Sequence, residues 1–194
     1  RNFRLLCCVL AFASGAVAGL GRCWFTVAAI LTIVILLYNR VKDRFRPLAA
    51  PLMGLCRGLN VMCGIAIASE CATAALTSCA PVLAGWTLYI AGVTLIAEDE
   101  HQAARPLNAL RFLPASAAML PALAPFTAHS DIFTTVLPLA GSLFAAYGFC
   151  RAVAPLGRKH DSGTRSKAVG LAIGMLIYLQ FGFAACADSL LPLA

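Results

Sequence analysis

Charge is what this chain has least of. Only 8 of its 194 residues are Asp or Glu, 3 are His, and charged residues of both signs reach 12%. Ordinary globular domains are about one-quarter charged, so a soluble domain is excluded. Paired cysteine motifs are also missing. The nine cysteines form no C-x-x-C pair and lie mostly inside apolar runs, where a thiol acts as a small hydrophobe rather than as a metal or redox ligand. His101, His129 and His160 fall in different connections and make no zinc site. The stretch Gly157-Arg-Lys-His-Asp-Ser-Gly-Thr164 lacks Walker A spacing, which excludes a nucleotide loop there, and nothing else points to nucleic acid. The apolar/polar alternation of a membrane β-barrel is absent as well.

What is present is apolar length. Apolar residues make up 61% of the chain and the mean hydropathy is +0.85. A bilayer-spanning helix needs about 20 mostly apolar residues, and seven such segments can be drawn: Arg4–Leu20, Cys23–Tyr38, Leu48–Ser69, Cys79–Ala97, Leu107–Phe126, Ile132–Ala152 and Ala168–Leu193. The expectation is an all-α, polytopic membrane helix bundle forming a single domain over residues 1–194. The first apolar run has no small-residue cleavage site and is followed at once by another, unlike a signal peptide. The chain starts at Arg1 without an initiator Met, and the expectation is a piece or a processed form of a longer protein. Gly15-x-x-x-Gly19, Gly54-x-x-x-Gly58 and Gly170-x-x-x-Gly174 each place two glycines on one helical face, as close helix packing in lipid requires. Prolines 114, 121, 125 and 138 are expected to kink the fifth and sixth segments or to lie near their ends.

The few charges are sorted by side. If the segments alternate across the bilayer, the N-terminus and the second, fourth and sixth connections share one face. That face carries Arg1, Arg4, Arg40, Lys42, Arg44, Arg46, Arg105, Arg111, Arg151, Arg158, Lys159, Arg165 and Lys167, and the other carries Arg22 alone. The bias predicts cytoplasmic basic loops in a plasma membrane, bacterial inner membrane being the expected location.

One cation breaks the sorting. Arg57 lies within the third apolar segment and shares a helical face with Asn60. A charge at bilayer depth is costly and marks a polar pathway or a ligand cavity, and the planar guanidinium fork suits carboxylate or phosphate. The second connection, Tyr38-Asn-Arg-Val-Lys-Asp-Arg-Phe-Arg-Pro47, reads either as a positive-inside anchor touching anionic lipid or as a diphosphate clamp at the mouth of a cavity. The fourth connection opens with Glu98-Asp99-Glu100-His101, where clustered carboxylates suit a hard divalent cation such as Mg²⁺. Tyr89, Tyr147, Tyr178 and Gln180 are further cavity candidates, with helix-interface hydrogen bonding as the competing role.

These residues together resemble the UbiA superfamily of intramembrane prenyltransferases. Tyr38-x-x-x-Lys42 is similar to that family's Tyr-x-x-x-Lys-Arg signature, with Asp43 in place of the second basic residue. Met53-Gly-Leu-Cys-Arg-Gly-Leu-Asn60 resembles the Met-Gly-x-Cys-Arg-Gly-Leu-Asn pattern of a divergent, Ebo-type UbiA-like branch. The stretch Tyr89–Glu100 is similar to the region of the second aspartate motif, with Val93 where the leading Asp stands and Glu100 where a later one falls. Beyond it, Ala103 and Ala104 replace further acids.

The resemblance implies that the seven segments correspond to helices three to nine of a nine-helix fold, the first two helices and their Asn-Asp-x-x-Asp motif lying outside the chain. It also implies transfer of a prenyl group from a polyprenyl diphosphate to an acceptor. On that reading Lys42, Arg57 and Glu100 are catalytic. Tyr38, Arg40, Lys42, Arg57 and Asn60 bind the diphosphate, and Asp99 and Glu100 hold Mg²⁺. Activity is expected only of a parent chain that includes the missing helices. The second expectation is a non-catalytic relative that binds or translocates a hydrophobic metabolite.

Overall fold

The computed structural model describes residues 22–68, 79–98, 113–122, 132–157 and 162–190. Those residues are helical, in the order α1 (Arg22–Val41), α2 (Arg46–Ala68), α3 (Ala80–Glu98), α4 (Leu113–Ala117), α5 (Ile132–Val153) and α6 (Ser162–Leu190), with a 3₁₀ turn at Ala154–Gly157. Four spans among them, Trp24–Val41, Leu48–Ile67, Ala80–Ala97 and Val136–Leu156, are long and apolar enough to cross a membrane. The described residues therefore form an all-helical membrane bundle, since helices satisfy their own backbone groups where no water can. The first expected segment, Arg4–Leu20, lies outside the described residues.

The helices overrun the apolar segments read from the sequence, because hydropathy marks where lipid begins and not where the backbone stops coiling. α1 continues through Asn39, Arg40 and Val41, and the Asn39 side-chain amide donates to the Ile35 carbonyl at 2.9 Å. The Val41 carbonyl then accepts from both Arg44 N–H (2.9 Å) and Phe45 N–H (2.8 Å), closing the chain into a tight turn. α2 begins immediately after it at Arg46. The expected ten-residue basic connection is thus only residues 42–45, with Arg40 and Arg46 on the helices that flank it. α6 likewise starts at Ser162, six residues before the expected Ala168, so Arg165 and Lys167 lie in its first two turns. Arg165 is buried there, not exposed on a loop.

The fifth segment departs most from expectation. Among its described residues, Leu113–Ala117 forms a single short helix and residues 120–122 tighten to 3₁₀ geometry. Met119 N–H bonds Ser116 O and Ala122 N–H bonds Met119 O, each at 3.1 Å. Proline supplies the reason. Pro114 takes the second helical position, where a missing N–H costs nothing, whereas Pro121 has no N–H with which to continue an α ladder.

α3 is the hub, packing against α2, α4 and α6, while α5 and α6 make the most extensive helix pair. Of its span 44% is buried, against 11% for α1, which packs chiefly on α2. Glycine lets α3 take this position. A Cβ at Gly54 would collide with the Thr87 carbonyl and one at Gly58 with the Thr87 hydroxyl, so the Gly54-x-x-x-Gly58 face is where α2 meets α3. Gly170 and Gly174 meet nothing within 4 Å. The main apolar core unites Trp86, Tyr89 and Val93 of α3 with Ala117 and Ala118, Phe149 of α5 and Leu179 of α6.

Candidate functional site

Met53, Arg57 and Asn60 follow one another at i, i+4 and i+7 on α2, which places them on one stripe. That stripe lies between two neighbours, and a cavity opens on each side. The larger, of about 410 Å³, is walled by α2, by Trp86, Ile90, Val93 and Thr94 of α3, and by Ile173, Leu176 and Gln180 of α6. The smaller, of about 310 Å³, lies between α2 and the Leu31, Ile35, Tyr38 and Asn39 positions of α1. Met53, Arg57 and Asn60 line both. Arg57 therefore stands at the partition, midway along the Leu48–Ile67 span.

Helical side-chain direction explains how the polar groups converge. Side chains lean toward the N-terminus of their own helix. On α2 this carries the Arg57 guanidinium back toward the basic turn. On antiparallel α1 it carries the Tyr38 ring the opposite way, deeper into the membrane. Tyr38, Arg57 and Asn60 thus share the smaller cavity.

The other selected residues are placed differently. Arg40 and Lys42 are exposed and line neither cavity, Lys42 standing one helical turn beyond Tyr38. Asp99 and Glu100 lie outside the described residues. Tyr89 is fully buried. Its hydroxyl donates to the Ala172 carbonyl at 2.8 Å and its ring meets Phe149 edge-on at 5.8 Å. It joins α3 to α6 and α5 and lines neither of the two cavities. Tyr178 stacks on Phe144 at 5.9 Å, and both it and Tyr147 are exposed. Gln180 is the member of that group that lines a cavity.

Sequence reading overlooked Asn39, Met53 and Trp86 as wall residues. Met53 was within reach, since it completes the Arg57 stripe one turn earlier. Asn39 and Trp86 carry no periodic or motif signal, and only the packing of α1 and α3 against α2 brings them to the walls.

Chemically, the walls combine one permanent cation with donors from Asn60, Trp86 and Gln180 and the hydroxyl of Thr94 on an otherwise apolar surface. The Thr94 hydroxyl donates to the Ile90 carbonyl of its own helix at 2.8 Å, leaving its lone pairs as acceptors. No carboxylate stands among the described wall residues, and the described residues hold no group of three His, Cys, Asp or Glu suited to a metal. Val93, which takes the place of the leading Asp in the motif likeness, is a buried apolar residue of the larger cavity. The described walls therefore do not by themselves fit Mg²⁺. Comparison with protein-family models, curated proteins and solved structures returns no match. The UbiA likeness thus rests on the motif residues alone.

Proposed function

We propose that this protein is an intramembrane prenyltransferase-like protein that holds a polyprenyl diphosphate with its headgroup at Arg57. The observation that carries the reading is the meeting of Arg57 and Asn60 at two largely apolar cavities halfway along an apolar span, with Tyr38 joining them in the smaller one. Arg57 and Asn60 are both exposed where they line the cavities, so the guanidinium is open to a ligand, and its planar fork pairs with phosphate oxygens. In the transfer step the C1–O bond of the donor breaks and its electron pair leaves with the diphosphate. The allylic carbon becomes cationic, and the acceptor's nucleophilic atom bonds to it and gives up its proton to water. Arg57 stabilises the charge gathering on the leaving group, and Asn60 and Tyr38 orient it. Lys42 and Arg40, at the rim, draw the diphosphate toward the cavity mouth. In this reading Asp99 and Glu100 are the residues that would hold Mg²⁺. The basic turn between α1 and α2 faces the cytoplasm, and a bacterial inner membrane is the proposed location.

A second reading is a non-catalytic protein that binds or moves a hydrophobic anionic metabolite. Val93 in the wall of the larger cavity favours it, because the position offers no metal ligand. One assay separates the two. The full-length protein in membranes is given farnesyl or geranylgeranyl diphosphate with Mg²⁺, and diphosphate release is followed. Turnover that falls by about 10²-fold in Arg57→Gln and in Glu100→Gln supports transfer. Saturable, Arg57-dependent binding without release supports the binder, and absence of both refutes the site.

A further inference from the structure

We infer that the exposed stripe of α2 is a polar track along which the headgroup of an anionic phospholipid crosses between leaflets while its chains stay in the bilayer. The inference rests on the reading of Arg57 as a phosphate site and adds that a headgroup passes through that site instead of stopping at it.

The stripe consists of Met53, Arg57, Asn60 and Gly64, at i, i+4, i+7 and i+11 of α2. Arg57, Asn60 and Gly64 are exposed, and a Cβ at Gly64 would meet nothing within 4 Å. Met53, Arg57 and Asn60 line both cavities, so free volume flanks the stripe on its α1 side and on its α3–α6 side. Those volumes, about 310 and 410 Å³, each match at least about ten waters at roughly 30 Å³ apiece, which is room for a phosphate and its glycerol.

Depth turns the stripe into a track. At 1.5 Å per residue, Arg57 stands roughly 16 Å from Arg46 at the start of α2, and Gly64 roughly 10 Å further on. The two distances together cover most of a hydrocarbon core about 30 Å thick. Polar groups are spaced along the way. Tyr38 and Asn39 stand in the smaller cavity just before the basic turn, Arg57 and Asn60 at mid-depth, and Gln180 adds an amide to the larger cavity. A phosphate drawn across bare hydrocarbon loses its hydration without compensation. Here a cation meets it halfway, so the longest uncharged stretch is about half the thickness. No carboxylate stands among the described wall residues to repel an anion. At one end the exposed Arg40, Lys42 and Arg44 gather anionic headgroups.

The test is transbilayer movement. The full-length protein is reconstituted into phosphatidylcholine vesicles holding a trace of phosphatidylglycerol with a fluorophore on one acyl chain. Dithionite added outside bleaches the outer leaflet at once and inner-leaflet label only as it crosses. The protein is expected to speed that second phase at least tenfold over protein-free vesicles, and Arg57→Gln to slow it again about tenfold. Gly64→Ile, which fills the outer leg at a position with open space around it, should slow passage while leaving farnesyl phosphate binding unchanged. Acceleration that survives both substitutions, or equal bleaching of a water-soluble dye trapped in the same vesicles, overturns the track in favour of a general disturbance of the bilayer. Arg57-dependent binding of farnesyl phosphate without faster bleaching overturns passage but spares the anion site. Absence of both binding and passage removes both.

Discussion

Arg57 is held against the preference of its surroundings. Its position at the middle of an apolar span costs about 3 kcal/mol on membrane-insertion scales, more than a surface residue ever incurs. A side chain kept at that cost and open to two cavities is proposed to serve binding rather than folding. Arg57→Leu should therefore raise thermal stability in detergent while removing phosphate binding, a pair of opposite changes that calorimetry and a binding titration read separately. Loss of stability together with binding would assign Arg57 to the fold instead. Two buried hydroxyls make the contrast at smaller scale. Tyr89 donates to Ala172 across the α3–α6 interface, and Tyr89→Phe should cost about 0.6 kcal/mol, the usual worth of such a bond in a membrane bundle. Ser142 is 1% exposed, and its Oγ has no hydrogen-bond partner among the described residues. Ser142→Ala should accordingly stabilise the protein by about 1 kcal/mol, since it removes an unsatisfied polar group. If the two substitutions shift the melting temperature in the same direction, the two environments are wrongly drawn.

At the scale of the helix, identical glycine spacing turns out to have different uses. Gly54 and Gly58 lie against the Thr87 backbone and side chain, whereas Gly170 and Gly174 face open space. Spacing alone shows that two glycines share a face, but what that face meets depends on where the neighbouring helix falls. Gly54→Ala should therefore cost about 1–3 kcal/mol by overpacking the α2–α3 contact and should enlarge or distort the shared cavity wall. Gly174→Ala should be neutral or gain up to about 1 kcal/mol from helix propensity. Thermal unfolding of the two variants side by side checks this. The existence of α1, α2, α3, α5 and α6 was legible for a simple reason: each is a continuous apolar run, and in lipid a continuous apolar run can only coil. Their ends were not legible, because polar residues such as Asn39 and Ser162 continue a helix past the point where its hydropathy falls. The fifth segment misled for the converse reason. Its composition is apolar enough to span, yet Pro121 breaks the α ladder of its described part, and a hydropathy window does not see a missing N–H.

The whole molecule reads as an α1–α2 hairpin set against a core centred on α3, with the polar site at the junction. Arg57 and Asn60 were recoverable from the chain because an arginine in an apolar run is conspicuous, and Tyr38 because it lies at the end of such a run. Trp86, Thr94 and Gln180 come to the same cavities from α3 and α6, at sequence separations no local pattern spans. This arrangement makes the orientation in the membrane testable through the hairpin turn. Arg40, Lys42 and Arg44 are exposed around it, within the last turn of α1 and the few residues that follow. Short loops carrying such a bias stay cytoplasmic. A fluorescent reporter that matures only in the cytoplasm, inserted after Asp43, should therefore be bright, and one inserted in the connection between α2 and α3 dark. Replacing Arg40, Lys42 and Arg44 together with Gln should weaken that orientation by removing about 1 kcal/mol of attraction per cation to an anionic cytoplasmic leaflet. Tyr38 and Asn39, which line the smaller cavity, stand just before this turn, so the orientation also fixes from which leaflet a phosphate headgroup would meet Arg57 by that route. If the reporter after Asp43 is dark, the headgroup comes from the outer leaflet, and a cytoplasmic prenyl donor cannot be the ligand.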